Sequence, residues 1–141
     1  FGPRQSLDDE YSVVIPKFIN CLINAEPPPI YGSGRQSRDF TYVKNVVEAN
    51  LLAIRAPILR SGVFNIASGR DYSILELVKI LSRILDKNIK PVFLNKRSGD
   101  VFKTLADLSQ AKKILGYKAK FDFIKGLVAT IDYWKNQGKK D

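Results

Sequence analysis

Two short stretches hold residue types that bind anions. The first, "IYGSGRQSRDF" from Ile30 to Phe40, sets Arg38 directly before a carboxylate and an aromatic ring, shortly after two glycines. The second, "KRSGDV" from Lys96 to Val101, places Arg97 in a loop with Gly99 and Asp100 and without apolar periodicity. A guanidinium is planar, always charged and offers a fork of donors, so two of them in facing loops would clamp a diphosphate from both sides. Taken alone, Arg38 reads more simply as a surface residue paired with its neighbour Asp39, an arrangement worth little energetically. The glycines do not themselves make a phosphate cradle. A dinucleotide loop needs three glycines between a strand and a helix, whereas "GSGRQS" lacks the third and leads into "RDFTYV", which has the pattern of a strand. No "GK[ST]" occurs, which excludes a P-loop. Gly32 and Gly34 are read instead as a turn in a hairpin-like connection.

Other chemistry is bounded by what the chain lacks. Histidine is absent and cysteine occurs once, at Cys21, so the usual general base, an internal disulfide and a zinc cluster are all missing. Cys21 lies at the edge of a helical apolar stripe and reads as a small core residue. The run Asp8–Glu10 has no partner motif and reads as solvated loop rather than a metal site. A net charge of +9 favours an anionic partner. Much of that surplus, at Lys112, Lys113, Lys118, Lys120, Lys139 and Lys140, comes without an RNA-recognition or helix-turn-helix pattern, so a solvated face is expected and nucleic acid is not. No apolar run approaches the roughly 18 residues that cross a bilayer, and "FGPRQSLDDE" has neither the basic nor the apolar part of a signal peptide. The expectation is a cytoplasmic protein with no membrane partner. Methionine is absent even at position 1, which points to a processed chain or a piece of something longer.

The elements that must position the two stretches follow from periodicity. At 141 residues and 45% hydrophobic, the chain fits one domain, residues 1–141, with a core of its own. "YSVVIPKFINCLINA" spaces Val14, Phe18, Cys21, Leu22 and Ala25 as a helix face, with Pro16 tolerated in its first turn, and "EPPP" ends it. A short strand at Ile30 and Tyr31 precedes the second strand, "RDFTYV". The amphipathic helix "NVVEANLLAIRA" is ended by Pro57, and "GVFNIAS" reads as a short buried strand. "SILELVKILSRILDK" is a helix opened by the capping pair Ser73 and Glu76. "KPVFLN" is a strand, Asp107 caps the helix "LSQAKKILG", which stops at Gly116, and Asp122 caps "FIKGLVATIDYWKNQ". Tyr11, Tyr42, Tyr72, Tyr117 and Tyr133 are assigned to the core or its boundary. The predicted fold is mixed α/β with short strands and about five helices, a lobe rather than a complete doubly wound sheet.

Read in order, "GPRQ", "VVIPKFI", "IYGSGRQSRDFTYVKNVVEANLLA", "GVFNIASG", "SILELVKIL", "KRSGDVFKTLADLSQAKKILGY" and "FIKGLVATIDYW" closely resemble one part of a known family. The chain looks like the carboxy-terminal substrate-binding part of the NAD-dependent nucleotide-sugar epimerases and dehydratases, the extended short-chain dehydrogenases, nearest to the UDP-glucose 4-epimerases. The resemblance implies an isomerase of carbohydrate, in particular galactose, metabolism in which NAD takes a hydride from the sugar's fourth carbon and returns it to the other face. In that family an amino-terminal half carries the NAD loop and a catalytic Tyr-x-x-x-Lys pair. No tyrosine here has a lysine four residues later, so no catalytic residue, no NAD-binding residue and no activity are expected of this chain alone. By resemblance, Arg38 and Arg97 grip the pyrophosphate, Asp100 bonds the ribose, Tyr31 lies beside the uracil, and Val14 and Phe18 line that pocket. The partners implied are a UDP-sugar and the NAD-binding Rossmann half, with self-association through the face left open when that half is missing. Ser33 and Asn45 stand where the family commonly has aspartate, and Phe1 where it has tyrosine. UDP-glucuronate decarboxylases and dTDP-glucose dehydratases share the architecture, and a non-catalytic module that binds UDP-sugars or a polyanion is the alternative from another class.

Overall fold

The computed structural model describes residues 1–7, 14–56 and 61–137. The expectations placed on Asp8–Glu10, Tyr11, Pro57, Lys139 and Lys140 fall outside the described residues. The elements in chain order are α1 (Val14–Ile23), β1 (Pro29–Tyr31), β2 (Ser37–Arg38), α2 (Val43–Arg55), β3 (Tyr72–Ser73), α3 (Ile74–Leu85), β4 (Val92–Leu94), α4 (Ser109–Leu115) and α5 (Phe123–Gln137). Among the described residues this is the mixed α/β arrangement expected, with five helices and short strands.

Local signals in the sequence fix most helix ends. Ser73 Oγ accepts from the Glu76 amide at 3.1 Å while the Glu76 carboxylate accepts from the Ser73 amide at 2.8 Å, a complete capping box on α3. Asp122 Oδ1 accepts from the Lys125 amide at 2.8 Å at the start of α5, and Asp107 Oδ1 accepts from the Ser109 amide at 2.9 Å at the start of α4. Gly116 ends α4 at φ +63°, the left-handed geometry that glycine adopts without a Cβ clash.

One face each of α1, α3 and α5 closes the larger core. Ile15, Phe18, Ile19, Leu77, Leu81 and Leu127 are all buried there, each worth roughly 1.5–3 kcal/mol relative to exposure. Cys21 is buried and unbonded on α1, as a core residue should be. A second cluster joins Ala49 of α2 to Ala111 and Leu115 of α4, with Tyr117 fully buried and donating its hydroxyl to the Ala67 carbonyl at 2.8 Å. Asn45, 1% exposed, ties the two parts: its Nδ2 donates to the Phe121 carbonyl at 2.8 Å and its Oδ1 accepts from the Phe121 amide at 3.0 Å. An aspartate could make only the second of these bonds.

Three strand expectations are corrected. β1 and β2 do not form a hairpin: β1 pairs with β4 in parallel, Pro29 opposite Val92 and Tyr31 opposite Leu94, and β2 pairs with β3 antiparallel. The "RDFTYV" strand is confined to β2 because the aromatics behind it serve helix packing. Phe40 stacks on Phe123 at 5.5 Å, and Tyr42 lies so close to α5 that a Cβ on Gly126 would sit 2.9 Å from its ring. "GVFNIAS" forms no strand and is buried only at Ala67. Val63 is 87% exposed, and half-buried Phe64 and Ile66 lean on the second cluster without a strand beside them. Alternation marks an extended segment, but only a neighbouring backbone turns it into a ladder.

Candidate functional site

Parallel pairing puts the carboxy ends of β1 and β4 side by side, so the two anion-binding stretches leave the sheet at the same end. The Gly32 amide donates to the Leu94 carbonyl at 2.9 Å, continuing the ladder into the first loop. Farther on, β2 is gripped on its second side. The Ser37 amide donates to the Phe102 carbonyl at 2.9 Å, the Thr104 amide to the Ser37 carbonyl at 3.1 Å, and the Asp39 amide to the Thr104 carbonyl at 3.1 Å. The loop from Lys96 to Val101 is therefore tied at both ends, by β4 before it and by β2 after it.

The result is an ion pair between residues 62 positions apart. Arg38 donates one terminal N–H to Asp100 Oδ1 at 2.5 Å and another to the Ser37 carbonyl at 2.8 Å. Both side chains are about a quarter exposed, 25% for Arg38 and 26% for Asp100. The partner suggested by sequence adjacency, Asp39, is committed elsewhere: its carboxylate accepts from the Ser68 amide at 2.9 Å, the Ser68 hydroxyl at 2.6 Å and the Gly69 amide at 3.0 Å. Arg97 lies over the Tyr31 ring, its guanidinium carbon 3.7 Å from the centroid. Arg97 lowers the Tyr31 pKa below the ordinary tyrosine value, first as a hydrogen-bond donor and then as a charge, with Lys17 adding a smaller pull in the same direction. Tyr31 is itself anchored, since Gln36 Nε2 donates to its carbonyl at 2.6 Å.

All six residues assigned from the sequence border one cavity of about 730 Å³: Val14, Phe18, Tyr31, Arg38, Arg97 and Asp100. α1 supplies an apolar wall through Val14 and Phe18, and the two loops supply the charge. Lys17 and Gln36 also border the cavity and were not singled out from the sequence. Lys17 had a signal, because it sits between Val14 and Phe18 on one helical turn and so shares their side of α1. Gln36 had none, since its role is a bond to a backbone carbonyl that the turn brings near.

Asp71 is held below the ordinary carboxylate range first by the Ser37 hydroxyl, which donates to it at 2.5 Å, and then by Lys103; both bonds brace β2 against its neighbours. No group of three or more metal-ligating side chains occurs among the described residues, and no helix among them is long and apolar enough to cross a membrane.

Residues 1–67 match the family described as NAD dependent epimerase/dehydratase. Among solved structures, the chain is similar to a UDP-N-acetylglucosamine 4-epimerase from Methanobrevibacter ruminantium M1 in complex with UDP-N-acetylmuramic acid, with 40% identity and a TM-score of 0.89 over 97% of this chain and 44% of that one. It is also similar to a UDP-glucose 4-epimerase with UDP-glucose from Thermotoga maritima, at 36% identity and a TM-score of 0.87 over 97% of this chain and 43% of that one. A curated relative, UDP-glucuronic acid decarboxylase 4 of Arabidopsis thaliana, is 31% identical over 90% of this chain and 28% of its own length. The chain thus spans less than half the length of the relatives it matches.

Proposed function

Because the chain belongs to the NAD-dependent epimerase/dehydratase family, we propose that it is the UDP-holding part of a nucleotide-sugar 4-epimerase. The observation that carries this reading is the convergence of Arg38, Arg97 and Asp100 on one cavity walled by Val14 and Phe18. Arg38 and Arg97 take the diphosphate. A guanidinium stays charged at any working pH, and its parallel N–H bonds match phosphate oxygens in pairs. Asp100, neutralised by Arg38, accepts from a ribose hydroxyl without repelling the phosphates. The base enters the apolar side, beside Tyr31, Val14 and Phe18. Held by its UDP end, the sugar is free to present either face to the rest of the protein.

NAD supplies hydride chemistry in this family, but the residues here do not fit it. Gly34 is followed by β2 rather than by a helix amino terminus that could receive a pyrophosphate, and no Tyr-x-x-x-Lys pair occurs. Both therefore belong to the part of the enzyme that this chain does not span, and this chain contributes binding and orientation alone. Its contact with that part is assigned to α2. Val43, Val47, Leu51 and Ile54 recur along its outer side at 38–79% exposure, while small or polar Asn45 and Ala49 take the inner side. A surface stripe of aliphatics at helical spacing is what a covered face requires. Without its partner, that face is the seat of self-association. A 4-epimerase of UDP-glucose or UDP-N-acetylglucosamine is the reaction proposed, supported by the named relatives at 36% and 40% identity.

The test is a titration with UDP followed by backbone amide shifts. Saturable changes confined to Tyr31, Arg38 and Arg97 to Asp100 are expected. Saturation that moves amides elsewhere and leaves these still would overturn the assignment.

A further inference from the structure

The two arginines of the cavity are held in different ways. Arg38 is fixed by a carbonyl and a carboxylate. Arg97 is exposed, lies in no helix or strand, and has no carboxylate partner among the described residues. The loop is tied at its ends but packs nothing against its turn: a Cβ on Gly99, at φ +77°, would meet nothing within 4 Å. What holds the guanidinium is the Tyr31 ring at 3.7 Å, carried on a backbone that is fixed by β1, by the register with Leu94 and by the Gln36 bond to the Tyr31 carbonyl.

We propose that Tyr31 is a positioning residue for Arg97, holding its guanidinium over the ring so that its remaining N–H donors are free for the diphosphate. This deepens the UDP-clamp reading and rests on it. An arginine side chain released from such a contact regains rotamer freedom that a ligand must then remove. A ring contact restrains the cation without consuming its charge on a carboxylate, which Arg38 does in part through Asp100. The ring face covered by Arg97 is closed to a base, so a base beside Tyr31 packs on Val14 and Phe18 and owes the ring little affinity, while Tyr31 acts through the phosphate end. The lowered Tyr31 pKa agrees with a cation resting against the phenol.

Calorimetric titration of the full-length protein with UDP and with uridine tests this, using Tyr31→Phe, Tyr31→Ile, Arg38→Ala and Arg97→Ala. Isoleucine suits a strand and lacks the ring. From the span of cation–π contacts, Tyr31→Ile is expected to weaken UDP by roughly 3- to 30-fold, with uridine unchanged and Tyr31→Phe within about twofold of the native protein. In an Arg97→Ala background, Tyr31→Ile should cost nothing further. Relaxation of the Arg97 Nε–H group in the ligand-free protein should show it ordered in the native chain and in Tyr31→Phe, and mobile in Tyr31→Ile. Equal weakening of UDP and uridine by Tyr31→Ile would mean that the ring serves the base and would overturn the proposal. UDP affinity kept in Tyr31→Ile but lost in Arg38→Ala would remove the positioning role and leave the clamp standing. Affinity kept in both arginine variants would remove the clamp itself.

Discussion

On the cavity side, each cation has a partner inside the chain: Arg38 rests on Ser37 and Asp100, and Arg97 on Tyr31. Along α2, Val43, Val47, Leu51 and Ile54 face outward with large exposure. The first region is assembled and can admit a small anion by exchanging one set of partners for another. The second has apolar area to spare, and its buried polar anchor, Asn45, lies on its inner side. A face of the first kind fits a ligand that comes and goes, and a face of the second kind fits a protein surface that stays.

The comparison breaks first at the cavity if it is wrong. Arg97→Ala should weaken UDP binding by about 1.5–3 kcal/mol, the worth of a charged hydrogen bond, and a folded variant with unchanged affinity in calorimetry would remove Arg97 from the site. Next comes the buried inner side of α2. Asn45→Asp exchanges an amide that both donates and accepts for a carboxylate that only accepts, inside a region with 1% exposure. The expected loss is about 2 kcal/mol of stability in denaturant unfolding at neutral pH, and it should shrink as acid protonates the new carboxyl.

A smaller effect sharpens the contrast between satisfied and open groups. Glu76 is held below its ordinary value of 4.5 first by the Ser73 amide and then by the Ser73 hydroxyl. A depressed carboxyl supports the fold above its unfolded pKa, and that support is lost as pH falls through the folded value. Glu76→Gln should therefore cost about 0.3–1 kcal/mol at neutral pH and flatten the acid limb of the stability profile. The smallest change in stability is expected where the exposed apolar area is largest. Val47→Lys with Ile54→Lys should leave unfolding within about 0.5 kcal/mol, yet abolish self-association in sedimentation and docking of the NAD-binding part. A large loss of stability from that pair would show that α2 is covered by its own chain.

What was legible in the sequence was local. Ser73 with Glu76, Asp122 and Gly116 announce helix ends because each acts within a few residues of itself. Periodicity likewise found the buried faces of α1 and α3. Pairings between distant segments were illegible, because nothing in "PPPIYG" states that its neighbour is "PVFL" or that the strands run parallel. For the same reason adjacency offered Asp39 as the partner of Arg38, whereas the fold supplied Asp100. "GVFNIAS" failed differently, since its alternation is real but no strand lies beside it among the described residues. The six assigned site residues came from resemblance and from loop chemistry, and the cavity that gathers them is a product of the two short sheets.

The parallel contact between β1 and β4 also sets a clock. The Gly32 amide, bonded to the Leu94 carbonyl at 2.9 Å, sits at the joint of the two jaws in a segment whose closure spans nearly half of the chain. Such an amide exchanges with solvent only when that long closure opens. Its exchange rate in heavy water is thus a direct gauge of how often the jaws part, and bound nucleotide should slow it by the same factor by which it stabilises the closed form.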